Sequence, residues 1–222
     1  MDHAAAGFGV IGVLDLQGGV QEHLDHLRRL GVAARPVKRA AELAGLAGLI
    51  IPGGESTCLS RLLAIFGLDR AIRQAYDGGL KLWGTCAGAI LLARENVGEM
   101  PCLGLIDIVV SRNAFGSQLD SFQCEALAPA VAREPIPLTF IRAPKIVRAG
   151  EGVRVLLPMA DYIAAAEDDR ILVTVFHPEL TPSLAFHRYF ARKCGLSVAG
   201  GDDAGVDPDW TPHSWMDFSH HV

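Results

Sequence analysis

Cys86 lies at the centre of Gly84-Thr85-Cys86-Ala87-Gly88, directly after the apolar run Leu80-Lys81-Leu82-Trp83 and directly before the helix-prone Ala89-Ile90-Leu91-Leu92-Ala93. Strand, tight turn and helix in that order confine this stretch to an α/β layer. Glycines two residues either side of the apex leave room for a sharp turn that lifts one side chain clear of the backbone, as in a nucleophile elbow. A cysteine there is placed to attack a carbonyl as a thiolate. The following helix aims its N-terminal N–H groups and positive dipole end at the sulfur, favouring the thiolate and offering donors to an oxyanion. Taken alone, the same residues also fit a small buried cysteine in a glycine-rich turn.

The segments around this turn repeat the alternation. Gly9-Val10-Ile11-Gly12-Val13-Leu14 is an apolar run of strand length, as expected for a parallel strand covered on both faces. A helix is predicted from about Val20 to Leu30, with His23, Leu24, Leu27 and Leu30 at helical spacing and Gly31 as its stop. Val32 to Val37 reads as a second strand and Gly48-Leu49-Ile50-Ile51 as a third, with helices over Cys58 to Phe66 and Ala71 to Tyr76. Such repetition implies an open, mainly parallel sheet flanked by helices, with functional loops at strand carboxyl ends. Beyond Ile106 shorter strands follow at Ile106 to Val110, Phe122 to Ala126, Leu138 to Ile141 and Val153 to Leu157, a partly antiparallel region. The sheet is expected to finish with Ile171 to Phe176 and a helix from Pro182 to Lys193.

The run Ile171-Leu172-Val173-Thr174-Val175-Phe176 leads into His177-Pro178-Glu179. A thiol nucleophile needs a base within hydrogen-bond reach, and the imidazole needs a carboxylate to fix its tautomer. His177 and Glu179 suit those roles, since two residues apart in an extended segment they project from one face. A surface His-Pro turn with a solvated Glu is the alternative for this tripeptide alone.

Half of the 222 residues are hydrophobic, enough for one large core, and the net charge is −5. Asp202, Asp203, Asp207, Asp209 and Asp217 are the only fixed charges after residue 199, so the body is neutral. A neutral body without a basic stretch argues against nucleic acid and anionic membrane surfaces as partners. Cys58, Cys86, Cys102, Cys124 and Cys194 are odd in number and lack CxxC spacing, indicating neither a disulfide framework nor a zinc site. No apolar stretch approaches the ~20 residues of a membrane span, and Met1-Asp2-His3 lacks the basic flank of a secretion signal. A cytoplasmic protein without metal or cofactor is expected, with one domain over 1–195 and a polar, poorly ordered extension over 196–222.

Pro52-Gly53-Gly54-Glu55-Ser56 admits two readings. As a plain strand-to-helix turn, Ser56 caps the next helix. As a functional loop, the paired glycines let a backbone N–H point at an oxyanion formed where Cys86 attacks. Arg112 and Arg142 each follow an apolar strand-like run. Either could be an ordinary surface ion pair, although an amino-acid substrate needs a guanidinium for its carboxylate.

Taken together, Leu16-Gln17-Gly18, Pro52-Gly53-Gly54-Glu55-Ser56-Thr57, Gly84-Thr85-Cys86-Ala87-Gly88, Arg112-Asn113-Ala114-Phe115-Gly116, Phe140-Ile141-Arg142-Ala143-Pro144 and Phe176-His177-Pro178-Glu179-Leu180-Thr181 resemble the glutaminase subunits of pyridoxal 5'-phosphate synthase. These are triad-type, class I glutamine amidotransferases. The resemblance runs in order from about Gly9 to Phe190 and leaves out the tail.

The resemblance implies a three-layer, flavodoxin-like α/β fold with Cys86 as nucleophile, His177 as base and then acid, and Glu179 orienting His177. It implies that Gly53 and Gly54 supply the oxyanion-hole peptide with help from the Ala87 N–H. Glu55, Ser56, Arg112, Ile141 and Arg142 would hold L-glutamine, Arg112 taking its carboxylate. The ammonia would pass to a separate barrel-shaped synthase subunit making the vitamin B6 coenzyme, and the isolated glutaminase would be poorly active until docking reorients the Gly53-Gly54 peptide. Gln17 would lie near that contact. The alternatives are another cysteine-triad amide hydrolase, or a catalytically silent regulatory subunit that keeps the fold.

Overall fold

The computed structural model describes residues 9–112 and 121–198. The segment Asn113-Ala114-Phe115-Gly116 and residues 199–222 of the extension lie outside the described residues.

The first half is built from parallel strands β1 (Val10–Leu14), β2 (Ala34–Val37), β3 (Leu46–Ile51) and β4 (Lys81–Thr85). Between them run the helices α1 (Val20–Arg29), α2 (Ser56–Ile65) and α3 (Leu68–Asp77), and α4 (Ala87–Leu92) follows β4. The second half adds β5 (Ala93–Asn96), β6 (Ile106–Ser111), β7 (Ser121–Ala126), β8 (Ile136–Ile141), β9 (Lys145–Ala149), β10 (Arg154–Pro158), β11 (Ile163–Glu167), β12 (Ile171–Thr174) and α5 (Ala185–Lys193). The main sheet runs β2-β1-β3-β4-β12-β11-β9-β6-β5, with β10 paired to β11. Its pairings from β2 to β12 are all parallel, and those through β11 and β9 are antiparallel. β7 and β8 form a separate hairpin.

This is the expected α/β sheet, mixed and mainly parallel in its centre. Its parallel strands all point the same way, so the chain segments leaving β1, β3, β4 and β12 emerge at one edge. In an open parallel sheet that edge is where ligands bind.

Side-chain alternation sets the layers. Trp83 of β4 meets His187, Phe186 and Phe190 of α5 and His23 of α1. The neighbouring Gly84 faces α4, where a methyl group would stand 2.5 Å from Gly88 backbone atoms. α1 therefore packs with α5 on one face, while α2 packs with α3 and α4 on the other. The cluster of Ile11, Leu49, Ile50, Leu82, Trp83, Leu172 and Phe190, all without measurable exposure, forms the core between the layers.

Helix stops follow from glycine. After α1 the Gly31 N–H donates to the Arg28 carbonyl and the Val32 N–H to the Leu27 carbonyl, both at 2.9 Å, with Gly31 at φ 69°. That double bond is the left-handed C-terminal motif in which glycine carries no Cβ penalty.

Three strands, β5, β9 and β11, fall where the sequence reading places none. The expected helix from Pro182 begins instead at Ala185, and the final strand ends at Thr174 instead of Phe176. The β11 stretch Ala164-Ala165-Ala166 has no intrinsic strand preference, and burial between β10, β9 and β12 overrides it. Glu167 at its end is held by Arg154, by the Tyr189 hydroxyl at 2.6 Å and by Lys193 at 2.9 Å, tying β10 and α5 to this strand.

Candidate active site

Six chain segments, those after β1, β3, β4, β6, β8 and β12, line a cavity of about 310 Å³. Cys86 lies at its floor, buried, at φ 48° and ψ −105°. Gly84 and Gly88 make this turn possible. A methyl at Gly88 would overlap the Ile51 carbonyl oxygen, and one at Gly84 would strike the Gly88 peptide. The Cys86 N–H donates to the Thr174 carbonyl at 2.8 Å, which locks the elbow to β12.

Among the described residues only Cys86 and Arg142 are non-glycine residues with positive φ, and both line the cavity. Strained backbone of this kind persists where surrounding structure over-determines it, and it gathers at functional sites.

His177 follows β12, and its N–H donates to the Thr139 carbonyl of β8 at 2.8 Å. Its Nδ1 is 2.8 Å from Glu179 Oε1, and the imidazole faces the same cavity as Cys86. Cys86 Sγ also lies 3.9 Å from the Ile141 carbonyl, to which a thiol donates. His177 and Glu179 do not share a face of an extended strand, as the spacing suggested. Pro178–Leu180 is a 3-10 turn, and that turn swings the carboxylate back under the imidazole.

The electrostatics follow from burial and pairing. Burial works to raise the Glu179 carboxyl, but the His23 and His177 imidazoles outweigh it and hold it down at about 2. Burial alone would lower His177; the neighbouring Cys86 and Glu179 instead raise it well above the ordinary range. The arrangement therefore favours an imidazolium beside sulfur, with a carboxylate behind it.

The Gly53-Gly54 loop forms the wall opposite. Gly53 is packed against His177 and Cys86, since a methyl there would stand 2.5 Å from His177 Cε1 and 3.4 Å from Cys86 Cβ. Gly54 sits at φ 138°, a conformation side chains rarely adopt, against the Gln17 side chain. Gln17 Oε1 accepts the Glu55 N–H at 2.9 Å, fastening the loop to the end of β1. Ser56 does not cap α2. The cap is Glu55, whose carboxylate accepts from the Thr57 N–H at 3.0 Å and the Cys58 N–H at 2.7 Å. These two N–H groups lower the Glu55 carboxyl, against a small opposing effect of burial. Ser56 is buried at the cavity wall, and its hydroxyl has no hydrogen-bond partner.

Ala87, Arg112, Ile141 and Arg142 also line the cavity. Arg112 Nη1 is held by both Glu99 oxygens at 2.7 and 2.6 Å and lies 3.3 Å from Thr57 Oγ1, while Nη2 is 3.4 Å from Glu55 Oε1. The structure thus brings Cys86, His177, Gly54, Glu55, Ser56, Ala87, Arg112, Ile141 and Arg142 to one cavity, with Gly53 against His177 and Glu179 behind it. Sequence reasoning missed Glu99, which no motif marks. It also missed His23, visible only as an apolar-face residue of α1. Among the described residues no group of three or more His, Cys, Asp or Glu side chains is placed to hold a metal ion, and no helix is long and apolar enough to cross a membrane.

A mixed α/β sheet whose carboxyl edge carries a strained cysteine turn, a His–Glu pair and a glycine-rich wall around one cavity defines the class, an α/β enzyme of the amidotransferase type. Residues 13–196 match the SNO glutamine amidotransferase family, and the chain belongs to it. It is 60% identical over 213 residues to "Pyridoxal 5'-phosphate synthase subunit PdxT" of Syntrophus aciditrophicus, covering 96% of this chain and 95% of the relative. It is 47% identical over 184 residues to the PdxT subunit of Caldanaerobacter subterraneus subsp. tengcongensis, covering 82% of this chain and 97% of that one. A crystal structure of a glutamine amidotransferase, 43% identical, superposes with a TM-score of 0.80 over 85% of this chain and all of its own. The chain is thus a glutamine-hydrolysing enzyme, with the class I amidotransferase fold.

Proposed function

We propose that this glutaminase works through Cys86, His177 and Glu179 and delivers its ammonia to a pyridoxal 5'-phosphate synthase subunit. The carrying observation is the strained Cys86 sharing one cavity with His177, an imidazole whose Nδ1 is 2.8 Å from a buried carboxylate. The Cys86 thiolate attacks the side-chain amide carbon of L-glutamine, and the carbonyl π electrons move to oxygen. The Ala87 N–H and the Gly53-Gly54 peptide face that oxyanion. As the tetrahedral intermediate collapses, the C–N bond breaks, and His177 gives its proton to the leaving nitrogen to release ammonia. Water deprotonated by His177 then attacks the glutamyl thioester, and glutamate leaves as sulfur recovers its electrons.

Arg112 and Arg142 suit the substrate carboxylate, and the unpartnered Ser56 hydroxyl at the wall suits its polar end. For Arg112 to do so, Glu99 must give way. The vitamin B6 assignment is supported by relatives named as PdxT subunits at up to 60% identity. A docked barrel subunit would act on the Gly53-Gly54 loop through Gln17, to which that loop is fastened. Purified protein is expected to release glutamate from glutamine slowly alone and strongly with the synthase subunit from the same source. Cys86→Ala should lose more than about a thousandfold of that rate. Absence of turnover in both conditions would refute the reading.

A further inference from the structure

His23 takes no part in the scheme above, yet it is completely buried directly behind the carboxylate that the scheme uses. It projects from α1, whose first turn begins beside the Gly18-Gly19 end of β1. His23 Nε2 lies 3.5 Å from Glu179 Oε2 and 3.5 Å from Thr85 Oγ1, while its Nδ1 lies 2.8 Å from Nε2 of His187 on α5. Glu179 Oε2 and His187 Nδ1 are both buried atoms without a hydrogen-bond partner.

One arrangement of protons suits every member of this chain. An ionised carboxylate can only accept, so the contact is favourable only if His23 carries its hydrogen on Nε2. His23 Nδ1 is then an acceptor, and His187 Nε2 must be the donor. That leaves His187 Nδ1 bare, with an unused lone pair instead of a buried N–H lacking an acceptor. The opposite choice would aim a lone pair at a carboxylate. His26, tilted against His187 with ring centroids 4.5 Å apart, has its Nε2 3.0 Å from the Thr181 carbonyl, so α1 grips the same catalytic turn at a second point.

From this geometry we infer that His23, oriented by His187, is a positioning residue that holds the outer oxygen of Glu179, keeping the carboxylate ionised and turned toward His177. The inference rests on the Cys-His-Glu reading. The charged and titratable groups around His23 are Glu22 and His26 on α1, His177 and Glu179 on the catalytic turn, and His187 on α5, with the Thr85 hydroxyl on β4. Burial pushes His23 down to about 4 and His187 well below its ordinary value, so both are neutral at neutral pH, as a donor–acceptor chain requires. At 3.5 Å the contact is longer than the 2.8 Å bond to His177, so His23 tunes the carboxylate and His177 remains its principal partner.

The test compares His23→Leu, which removes both nitrogens, with His23→Gln, whose amide keeps a donor near the Nε2 position. Two readouts on the full chain are needed: kcat and KM for glutamate release with the synthase subunit present, and the pH dependence of Cys86 alkylation by iodoacetamide, followed by peptide mass mapping. His23→Leu is expected to lower kcat by about fivefold with KM little changed, because the lost contact to the carboxylate is long at 3.5 Å. It should also move the acid limb of Cys86 alkylation up by about one pH unit, since a carboxylate no longer held toward His177 supports the imidazolium less. His23→Gln should restore most of both. Wild-type behaviour in His23→Leu, or equal damage in His23→Gln, would overturn the inference. If His23→Leu fails to fold, His187→Leu replaces it, with a smaller shift of the same limb expected and an unmoved limb overturning the inference. Loss of turnover in the unaltered protein would instead break the glutaminase reading.

Discussion

The turn at Cys86 and the loop at Gly53-Gly54 both follow parallel strands and both face one cavity, yet they are held in different ways. Residues 82–90 around Cys86 are all buried, wedged between the Ile51 carbonyl, the Gly88 peptide and β12. Gly54 and Glu55 are exposed, and the Gln17 side chain fastens them. The glycines differ accordingly. Those of the elbow are glycine because other backbone approaches them, the Ile51 carbonyl of β3 at Gly88 and the Gly88 peptide at Gly84, whereas Gly54 is glycine because of its own φ of 138°. A nucleophile built into close-packed core cannot be retuned without unfolding its surroundings, while an oxyanion wall held by one side chain can shift. That contrast fits the proposed scheme, in which Cys86 stands ready and the Gly53-Gly54 wall answers to a docked subunit.

The contrast is sharpest at the glycines themselves. Gly88→Ala places a methyl on the Ile51 carbonyl, where neither backbone can retreat, and should cost about 4 kcal/mol or leave no folded protein, as urea unfolding would register. Gly53→Ala meets an imidazole carbon at 2.5 Å instead, and a ring can tilt. The protein should therefore fold while its glutamate release falls about 100-fold, since misplacing a reacting group by an ångström has that effect. Equal loss of stability in the two variants would break the comparison.

Acid should act on the buried side before the exposed one. His23 has a folded value of about 4 against an ordinary 6.5, so its contribution is complete above pH 6.5 and is lost as pH falls toward 4. From pH 7 to pH 5 it should remove about 2 kcal/mol of unfolding free energy, with the neutral His187 acting in the same direction. Glu179, depressed to about 2, gives way only below pH 4.5. Urea midpoints at pH 7 and pH 5 that coincide would contradict this.

Smaller effects belong to the exposed wall. Glu55→Ala removes the cap of α2 and should cost about 1 kcal/mol in thermal unfolding. Glu99→Gln frees Arg112 from a half-exposed ion pair and should lower KM for glutamine about threefold, with kcat unchanged; a raised KM would show that Glu99 orders the site instead of competing for it.

Much of this architecture is legible in the chain before it folds. The apolar runs locate β1, β3, β4 and β12, and the glycine-flanked Cys86 marks the elbow, because those signals lie within a few consecutive residues. β5, β9 and β11 were not legible. Their segments carry alanine and charge in place of β-branched runs, and neighbouring strands impose their conformation. At His177 the pairing with Glu179 was legible and the local geometry was not, since the tripeptide alone does not reveal that Pro178 opens a 3-10 turn instead of continuing a strand.

The sequence by itself determined where the cysteine turn, the His-Pro-Glu turn and the glycine-rich loop lie along the chain, since each is a short motif at the end of an apolar run. Only the tertiary structure decided that Glu99 occupies Arg112, that Glu55 and not Ser56 caps α2, and that His23 and His187 stand behind Glu179. The first and last of these join residues from separate elements, and no local periodicity records a contact that exists only once sheet and helices have packed. The α2 cap is local, but which of two adjacent polar side chains turns back onto the helix depends on the burial of Ser56 at the cavity wall.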